Sequence, residues 1–303
     1  MVSIKRILVG IDARNQQIGK TANLALQQAE AIASLTGARI TLLHCLEDEI
    51  PGENPPSADA RAQQARTLLE QIAEPLEAAR ISCEIEVCEG DASTQVLRVI
   101  REKNIDLLIV GKRAQSDTDG RPLGSVSLEV IRYAPCLVSV VRHAAKPVPE
   151  IVVAATDGGP MGDRVLEAAA RIASIHSATL HVLHAVQIGM EIQMEGTEAE
   201  RQFVVERREA IRKSARMAAE RAGFSGRLEV HAGVSTPDQA VYEAVERLKP
   251  DVVVLGTVSR TGIPGILVGN TAEQLLSSLD CSLLVEKPED FIAPRPTQST
   301  QAN

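Results

Sequence analysis

Apolar residues follow two different periods along the chain. Runs such as LLIV at 107–110 and VVVL at 252–255 are typical of strands buried on both faces of a parallel sheet. Between such runs, apolar residues recur every three or four positions, as at Ala22, Ala25 and Ala29, which predicts amphipathic helices. The alternation of the two patterns is typical of βαβ units.

The pattern of strands and helices occurs twice along the chain. Asp12, which ends the strand pattern RILVGID, returns 145 positions later as Asp157 in EIVVAATD. The second strands of the two repeats are only 140 positions apart, as His44 and His184 show, so the later repeat is shorter between its first two strands. A repeat of this length indicates two homologous domains.

We predict two domains, residues 1–146 (the first copy) and 147–288 (the second copy), followed by a disordered tail at 289–303. Pro147 and Pro149 interrupt regular structure at the boundary. Each copy reads β-α-β-α-β-α-β-α-β. Right-handed crossovers make this an α/β, Rossmann-like domain with a five-stranded parallel sheet of order 3-2-1-4-5. The predicted helices after the first of each copy cover 58–79, 94–103, 198–222 and 237–248, and the last helix of each copy begins near Ser125 and Thr271.

The strand order predicts where a ligand binds. In doubly wound sheets, ligands lie beyond the carboxyl ends of the strands, where the strand order reverses. In the first copy that reversal falls between the first and fourth strands, which end at Asp12 and Gly111. The loop at 112–124 lies over this crevice and leads to a helix that begins near Ser125. The free N–H groups and the macrodipole at the start of that helix favour a phosphate or another anion.

Side chains around the loop suit the same kind of ligand. Gly124 lets the backbone come close, and the Ser125 hydroxyl can add a hydrogen bond. Lys112 and Arg113 bring positive charge to the start of the loop. Asp12, across the crevice, is expected to accept a hydrogen bond from a ribose hydroxyl or to hold a metal ion.

The loop itself is repeated. The first copy carries GKRAQSDTDGRPLGS at 111–125, and the second carries GTVSRTGIPGILVGN at 256–270. Together with the strand-end aspartate, this resembles the universal stress protein family, whose nucleotide-binding members carry G-x2-G-x9-G-[ST] after the fourth strand. The resemblance covers about residues 3–142 and 149–287. GTVSRTGI and GNTAEQLL in the second copy are similar to the universal stress protein E group of that family.

The resemblance implies a cytoplasmic stress-response protein that binds ATP or AMP, with Mg²⁺ accompanying ATP. It assigns nucleotide-binding positions by motif in each copy. In the first copy these positions are Asp12, Cys45, Gly111, Lys112, Arg113, Ala114, Gly124, Ser125 and Val126. In the second copy they are Asp157, Ala185, Gly256, Ser259, Gly269, Asn270 and Thr271.

Both copies depart from the family motif. Ala114 and Ser259 replace its second glycine, and a Cβ there costs on the order of 1 kcal/mol if the position needs a positive φ. Asn270 stands where Ser or Thr is expected, although Thr271 follows it and suits a helix cap. The first loop is polar, whereas the second contains the apolar stretch GIPGILVG. Nucleotide binding is therefore favoured in the first copy.

Structural interpretations of the same residues stay open. Asp12 and Asp157 suit a helix N-cap, and Gly111 and Gly256 suit a strand end. His44 and His184 are expected to be buried strand histidines with hydrogen-bond partners. No metal site is predicted, because His181 and His184 are three residues apart and so face opposite sides of a strand. The five cysteines fit no zinc-binding spacing and are expected to be reduced.

Composition narrows the function. The net charge of −8 and an aromatic content of 2% disfavour a nucleic-acid partner, which needs a basic face or stacking platforms. No apolar run is long enough to span a membrane, and MVSIKRILVG at the N-terminus has no signal-peptide pattern, so we expect a cytoplasmic protein.

Three functions stay open. The leading one is a nucleotide-responsive stress protein that acts by binding. The second is a nucleotide-independent module in which GIPGILVG lines an apolar pocket for a ligand or a protein partner. The third is an enzyme, a weak ATPase or phosphotransferase that uses Asp12 to place Mg²⁺. At most slow nucleotide hydrolysis is expected, because the sequence carries no phosphate loop, dinucleotide fingerprint or nucleophile elbow. The fifth-strand edges CLVSVV and CSLLVE are candidates for an intramolecular pseudo-dimer contact, with a further homodimer left open.

Overall fold

The computed structural model describes residues 4–13, 18–47, 56–111, 125–142, 146–257, 275, 278–288 and 291. In the first copy the strands are β1 (Arg6–Gly10), β2 (Arg39–Leu46), β3 (Cys83–Glu89), β4 (Leu107–Gly111) and β5 (Leu137–Val141). The helices are α1 (Lys20–Thr36), α2 (Ala58–Ala78), α3 (Ala92–Glu102) and α4 (Ser125–Tyr133).

The second copy repeats this order of elements with one addition. Its strands are β6 (Ile151–Ala155), β7 (Thr179–Val186), β8 (Leu228–Val234), β9 (Val252–Gly256) and β10 (Ser282–Glu286). Its described helices are α5 (Pro160–His176), α6 (Met190–Glu195), α7 (Thr197–Ala222) and α8 (Pro237–Leu248). The short α6 is not foreseen from the sequence. The predicted start of the last helix, near Thr271, lies outside the described residues, but Leu275 and Ser278 are helical.

The strands form one ten-stranded sheet in the order β3-β2-β1-β4-β5-β10-β9-β6-β7-β8. Each half has the order 3-2-1-4-5, so the predicted fold class is confirmed. β5 and β10 pair antiparallel, with Leu283 opposite Val140 and Val285 opposite Val138. These are the two strand edges that the sequence proposes for contact. The domain boundary at 146/147 and the tail at 289–303, of which the structure describes only Phe291, stay predictions.

The two copies anchor their first strands in the same way. Asp106 Oδ2 accepts main-chain hydrogen bonds from Lys5 and Arg6, at 2.8 and 2.9 Å. The matching Asp251 Oδ2 accepts from the main chain of Glu150 and Ile151, at 2.8 and 3.0 Å. A carboxylate thus satisfies the N–H groups at the start of β1 and of β6, which would otherwise be left without partners.

Helix ends follow from local sequence. Asp91 precedes α3, and its Oδ1 accepts from the N–H of Thr94 at 2.8 Å, a standard N-cap. Thr236 and Gln239 form a capping box at the start of α8. None of the described helices is both long and apolar enough to cross a lipid bilayer.

A lysine is buried where the two copies meet. Lys287 follows β10 and is only 2% exposed. Its Nζ donates to the carbonyl oxygen of Ile131 and, at 3.4 Å, to that of Arg132, near the C-terminal end of α4. Carbonyls in a last helical turn have no partner within the helix and carry the negative end of its dipole. Burial lowers the pKa of Lys287 to about 7.

Candidate functional site

The strand order reverses at β1–β4 in the first copy and at β6–β9 in the second. Gly10 of β1 lies opposite Val110 of β4, so Asp12 and Gly111 follow neighbouring strands at the same edge of the sheet. The pairing of β6 with β9 places Asp157 and Gly256 in the same way. The structure therefore brings together the strand-end pair of each copy that the sequence singles out.

A buried histidine is within hydrogen-bond distance of the main chain of the turn that follows the first strand of each copy. His44 Nδ1 lies 3.0 Å from the carbonyl oxygen of Ile11 and 3.3 Å from the main-chain nitrogen of Ala13. In the second copy, His184 Nδ1 lies 2.9 Å from the carbonyl oxygen of Thr156. Both side chains are buried. The prediction that these histidines are structural is confirmed, and each fixes the backbone beside its aspartate.

Close contact with the first helix explains the glycine at the end of the fourth strand. A Cβ on Gly111 would lie 3.0 Å from the carbonyl carbon of Thr21 and 3.1 Å from its Oγ1. A Cβ on Gly256 would lie 2.8 Å from Cγ of Met161. Thr21 and Met161 occupy the same position of α1 and α5. The first helix thus forms one wall of the crevice, with a hydroxyl in the first copy and a thioether in the second.

The aspartate of the second copy caps a helix. Asp157 Oδ1 accepts main-chain hydrogen bonds from Gly159 at 2.9 Å and Gly162 at 3.0 Å, at the start of α5. Gly159, rather than Asp157, is the N-cap residue of α5, but the Asp157 carboxylate supplies the hydrogen-bond acceptor that the glycine lacks. The sequence signal for this contact is the glycine-rich turn DGGPMGD at 157–163, whose role the sequence analysis misses.

Glycine is required within this turn for steric reasons. A Cβ on Gly162 would lie 2.2 Å from Thr156 Oγ1 and 2.6 Å from Asp157 Oδ1. Thr156 Oγ1 is itself held, because it accepts from the N–H of Gly158 at 3.1 Å. The carboxylate cap and the absence of a side chain at Gly162 therefore depend on one another.

The remaining described positions lie around the same strand ends. Ser125 begins α4 and is exposed, while Val126 is half-buried. Cys45 and Ala185, near the ends of β2 and β7, are also half-buried. Burial raises the pKa of the Cys45 thiol to about 12, so it is a neutral thiol at physiological pH. Eight predicted positions lie outside the described residues: Lys112, Arg113, Ala114, Gly124, Ser259, Gly269, Asn270 and Thr271.

Comparison with known proteins gives the same two-part division. The sequence profile described as "Universal stress protein family" matches residues 3–142 and 150–287. Universal stress protein E of Escherichia coli (strain K12) is 44% identical over 64 residues, which are 21% of this chain and 20% of that protein. The chain thus aligns with about a fifth of the length of this relative. A universal stress protein of Methanocaldococcus jannaschii is 29% identical over 158 residues, covering 50% of this chain and 89% of that protein.

Two solved structures share the tandem arrangement. A functionally unknown protein from Pseudomonas aeruginosa PAO1 superposes with a TM-score of 0.71 and 26% identity, covering 95% of this chain and 94% of that one. A universal stress protein from Archaeoglobus fulgidus superposes with a TM-score of 0.67 and 18% identity, covering 93% and 98%. The second of these supports the fold alone.

Proposed function

Because the chain belongs to the universal stress protein family, with both copies matched, we propose that it is a cytoplasmic stress-response protein that binds an adenine nucleotide. The proposed site is the crevice at the ends of β1 and β4 in the first copy, and the ligand is ATP or AMP. The protein acts through binding, and Mg²⁺ accompanies ATP when that nucleotide is bound.

The observation that carries the proposal is the position of Asp12 and Gly111. Asp12 follows β1 and Gly111 ends the adjacent parallel strand β4, at the reversal of strand order where doubly wound sheets bind ligands. The exposed Ser125 begins α4, whose first-turn N–H groups can receive a phosphate. Asp12 is the acceptor proposed for a ribose hydroxyl.

The second copy is less suited to the same ligand. Its aspartate already accepts two N–H groups at the start of α5, and Met161 packs against Gly256. In the first copy, the polar Thr21 packs against Gly111. These differences favour the first copy as the nucleotide site.

Isothermal titration calorimetry with paired variants tests the proposal. Gly124→Val adds a side chain where the loop must approach a phosphate, and Gly269→Val makes the same change in the second copy as the matched control. We expect wild-type protein and Gly269→Val to bind ATP with the same affinity, and Gly124→Val to bind at least about tenfold more weakly. Equal affinity in all three proteins would remove the first-copy crevice as the site.

Two further measurements separate the proposal from its alternatives. Native mass spectrometry of freshly purified protein should show a co-purified adenine nucleotide, whereas an acyl ligand would support the apolar module. Incubation with saturating Mg-ATP should release ADP no faster than buffer does. Faster release that is lost in Asp12→Asn would instead establish an ATPase.

A further inference from the structure

Three side chains with metal-binding atoms meet on the second copy's sheet, outside the proposed nucleotide crevice. His181 lies on β7, and Glu229 and His231 lie on β8. His181 Nδ1 is 3.0 Å from His231 Nε2 and 3.4 Å from Glu229 Oε2. His231 Nε2 is 3.8 Å from the same carboxylate oxygen. We call these three residues the His–Glu–His cluster.

Strand pairing explains why the three side chains meet. His181 lies directly opposite Glu229 in the parallel register of β7 and β8. His231 is two residues further along β8, so its side chain is on the same face of the sheet as that of Glu229. Two neighbouring strands therefore hold all three ligand groups, and His181 is buried.

The spacing of the ligand atoms fits a zinc ion. Zinc binds histidine nitrogen and carboxylate oxygen at about 2.0–2.2 Å, so two ligands at a tetrahedral angle lie about 3.3 Å apart. The three separations in the His–Glu–His cluster, 3.0, 3.4 and 3.8 Å, lie on either side of that value. Three protein ligands and one water complete a four-coordinate shell.

The two histidines face each other through ring nitrogens, Nδ1 of His181 and Nε2 of His231. Without a metal, one ring donates its N–H to the nitrogen of the other across the 3.0 Å contact. When a metal binds, the donating ring moves its proton to its other ring nitrogen, so that both facing nitrogens present lone pairs to the ion.

Nearby arginines leave the ligand atoms accessible. Arg227 Nη2 pairs with Oε1 of Glu229, which leaves Oε2 as the oxygen that faces the two histidines. Arg247 Nη2 lies 3.5 Å from His231 Nδ1, on the opposite side of the ring from the Nε2 that faces the cluster. The carboxylate is thus held in place by one partner while its other oxygen points at the histidines.

The first copy holds a cation at the matching position. Its counterparts of the His–Glu–His cluster are Thr41, Glu84 and Glu86, with Thr41 opposite Glu84 in the same strand register. Lys103 Nζ lies 3.0 Å from Glu84 Oε2 and 3.4 Å from Glu86 Oε2. The residue that matches Lys103 in the second copy is Leu248, so this lysine is absent where the histidines appear, and Glu229 is paired instead with Arg227 through its other oxygen.

We propose that His181, Glu229 and His231 bind a divalent transition-metal ion, with Zn²⁺ the ion that fits best. The His–Glu–His cluster replaces the lysine–carboxylate contact of the first copy with a metal that ties β7 to β8. This proposal does not depend on nucleotide binding at the other end of the sheet's strands.

Cobalt binding to the full-length protein tests the proposal. After treatment with a chelator, Co²⁺ is titrated into wild-type protein, Glu229→Gln, His231→Ala and the matched first-copy control Glu86→Gln. We expect wild-type and Glu86→Gln to bind one equivalent with the visible spectrum of nitrogen and oxygen ligands, and Zn²⁺ to displace it. Glu229→Gln and His231→Ala should bind more weakly by at least about 100-fold, a loss at the upper end of that seen for supporting partners of metal ligands.

The cobalt spectrum of the wild-type protein and the melting temperature give two further readouts of where the metal binds. Zn²⁺ should raise the melting temperature of wild-type and Glu86→Gln, and leave those of the two ligand variants unchanged. A thiolate-to-cobalt charge-transfer band in wild-type protein would place the metal on cysteine and overturn the proposal. So would the absence of stoichiometric wild-type binding, or equal affinity in Glu229→Gln and Glu86→Gln.

Discussion

The two copies use the same strand-end aspartate in different local structures. In the second copy, only Gly158 and Gly159 separate Asp157 from α5, and its carboxylate accepts N–H groups from the first turn of that helix. In the first copy, residues 13–19 lie between Asp12 and α1. The connection between the aspartate and the first helix is therefore longer in the first copy.

The residues at the start of the first helix also differ between the two copies. Ala22 in the first copy matches Gly162 in the second, where a Cβ would collide with the capping carboxylate. Thr21 matches Met161, so the surface against the strand-end glycine is polar in one copy and apolar in the other. The two copies thus differ both in the length of this connection and in the helix residues beside the strand-end aspartate, whose carboxylate in the second copy holds the start of α5.

Substitution at Gly162 should produce the largest effect. In Gly162→Ala, the new Cβ collides with Thr156 Oγ1 and displaces the Asp157 carboxylate from the start of α5. Loss of the cap and local overpacking together should lower the free energy of unfolding by about 2–4 kcal/mol. Urea denaturation followed by circular dichroism measures the change.

The matched control is Ala22→Gly in α1. It should cost about 0.5–1 kcal/mol, as glycine does within a helix. If Gly162→Ala costs no more than this control, the carboxylate cap is not what requires glycine in the second copy.

The sequence predicts most of the fold. The repeat and the two hydrophobic periods suffice for the strand order of both halves, because parallel strands buried on both faces leave few alternatives. The helix predicted at 198–222 is observed at Thr197–Ala222, and that at 58–79 at Ala58–Ala78. These elements are defined by local periodicity, which a single sequence contains.

Contacts that depend on strand register or loop length are harder to predict. His181 and His184 are close in the sequence because they share β7, whereas the partners of His181, Glu229 and His231, lie on the next strand. Which residues of two parallel strands are opposite one another depends on the whole helix between them. The cap formed by Asp157 likewise depends on a connection short enough to turn its side chain back onto α5.

Exchanging the strand-end aspartates for alanine should separate their roles. Asp157→Ala removes the acceptor of two N–H groups and should lower the free energy of unfolding by about 1–2 kcal/mol, with little change in ATP affinity. Asp12→Ala should instead weaken ATP binding by about tenfold. Denaturation and calorimetry on both variants provide the two readouts.

The opposite distribution of effects would reverse the comparison. A loss of ATP affinity in Asp157→Ala, with none in Asp12→Ala, would place the nucleotide in the second copy. The two variants serve as controls for each other, because they occupy matched positions at the ends of β1 and β6.

The contact between the copies should show a pH dependence due to Lys287. Because burial lowers its pKa to about 7 in the folded protein, against 10.5 ordinarily, the unfolded chain binds more protons between these values. Stability from this residue therefore rises with pH above about 7, by at most about 1.4 kcal/mol per pH unit. Urea denaturation between pH 7 and 8.5 should show this slope in wild-type protein and a reduced one in Lys287→Met.

Arg142 provides the matched control, since it follows β5 as Lys287 follows β10. Arginine stays charged over this pH range even where burial lowers its pKa. Arg142→Met should therefore keep the wild-type pH slope. If Lys287→Met and Arg142→Met show the same slope as wild-type protein, the lysine is charged at the contact throughout.

The smallest expected effect tests the helix wall of the first crevice. Thr21→Met gives the first copy the thioether that packs against Gly256 in the second, and this bulk beside Gly111 should weaken ATP binding about threefold, or about 0.6 kcal/mol. Met161→Thr makes the reciprocal change and should leave ATP affinity unaltered, because the proposed ligand lies in the other copy. Calorimetry at one ionic strength compares the two. A loss confined to Met161→Thr would mean that the apolar wall, rather than the polar one, lines the nucleotide site.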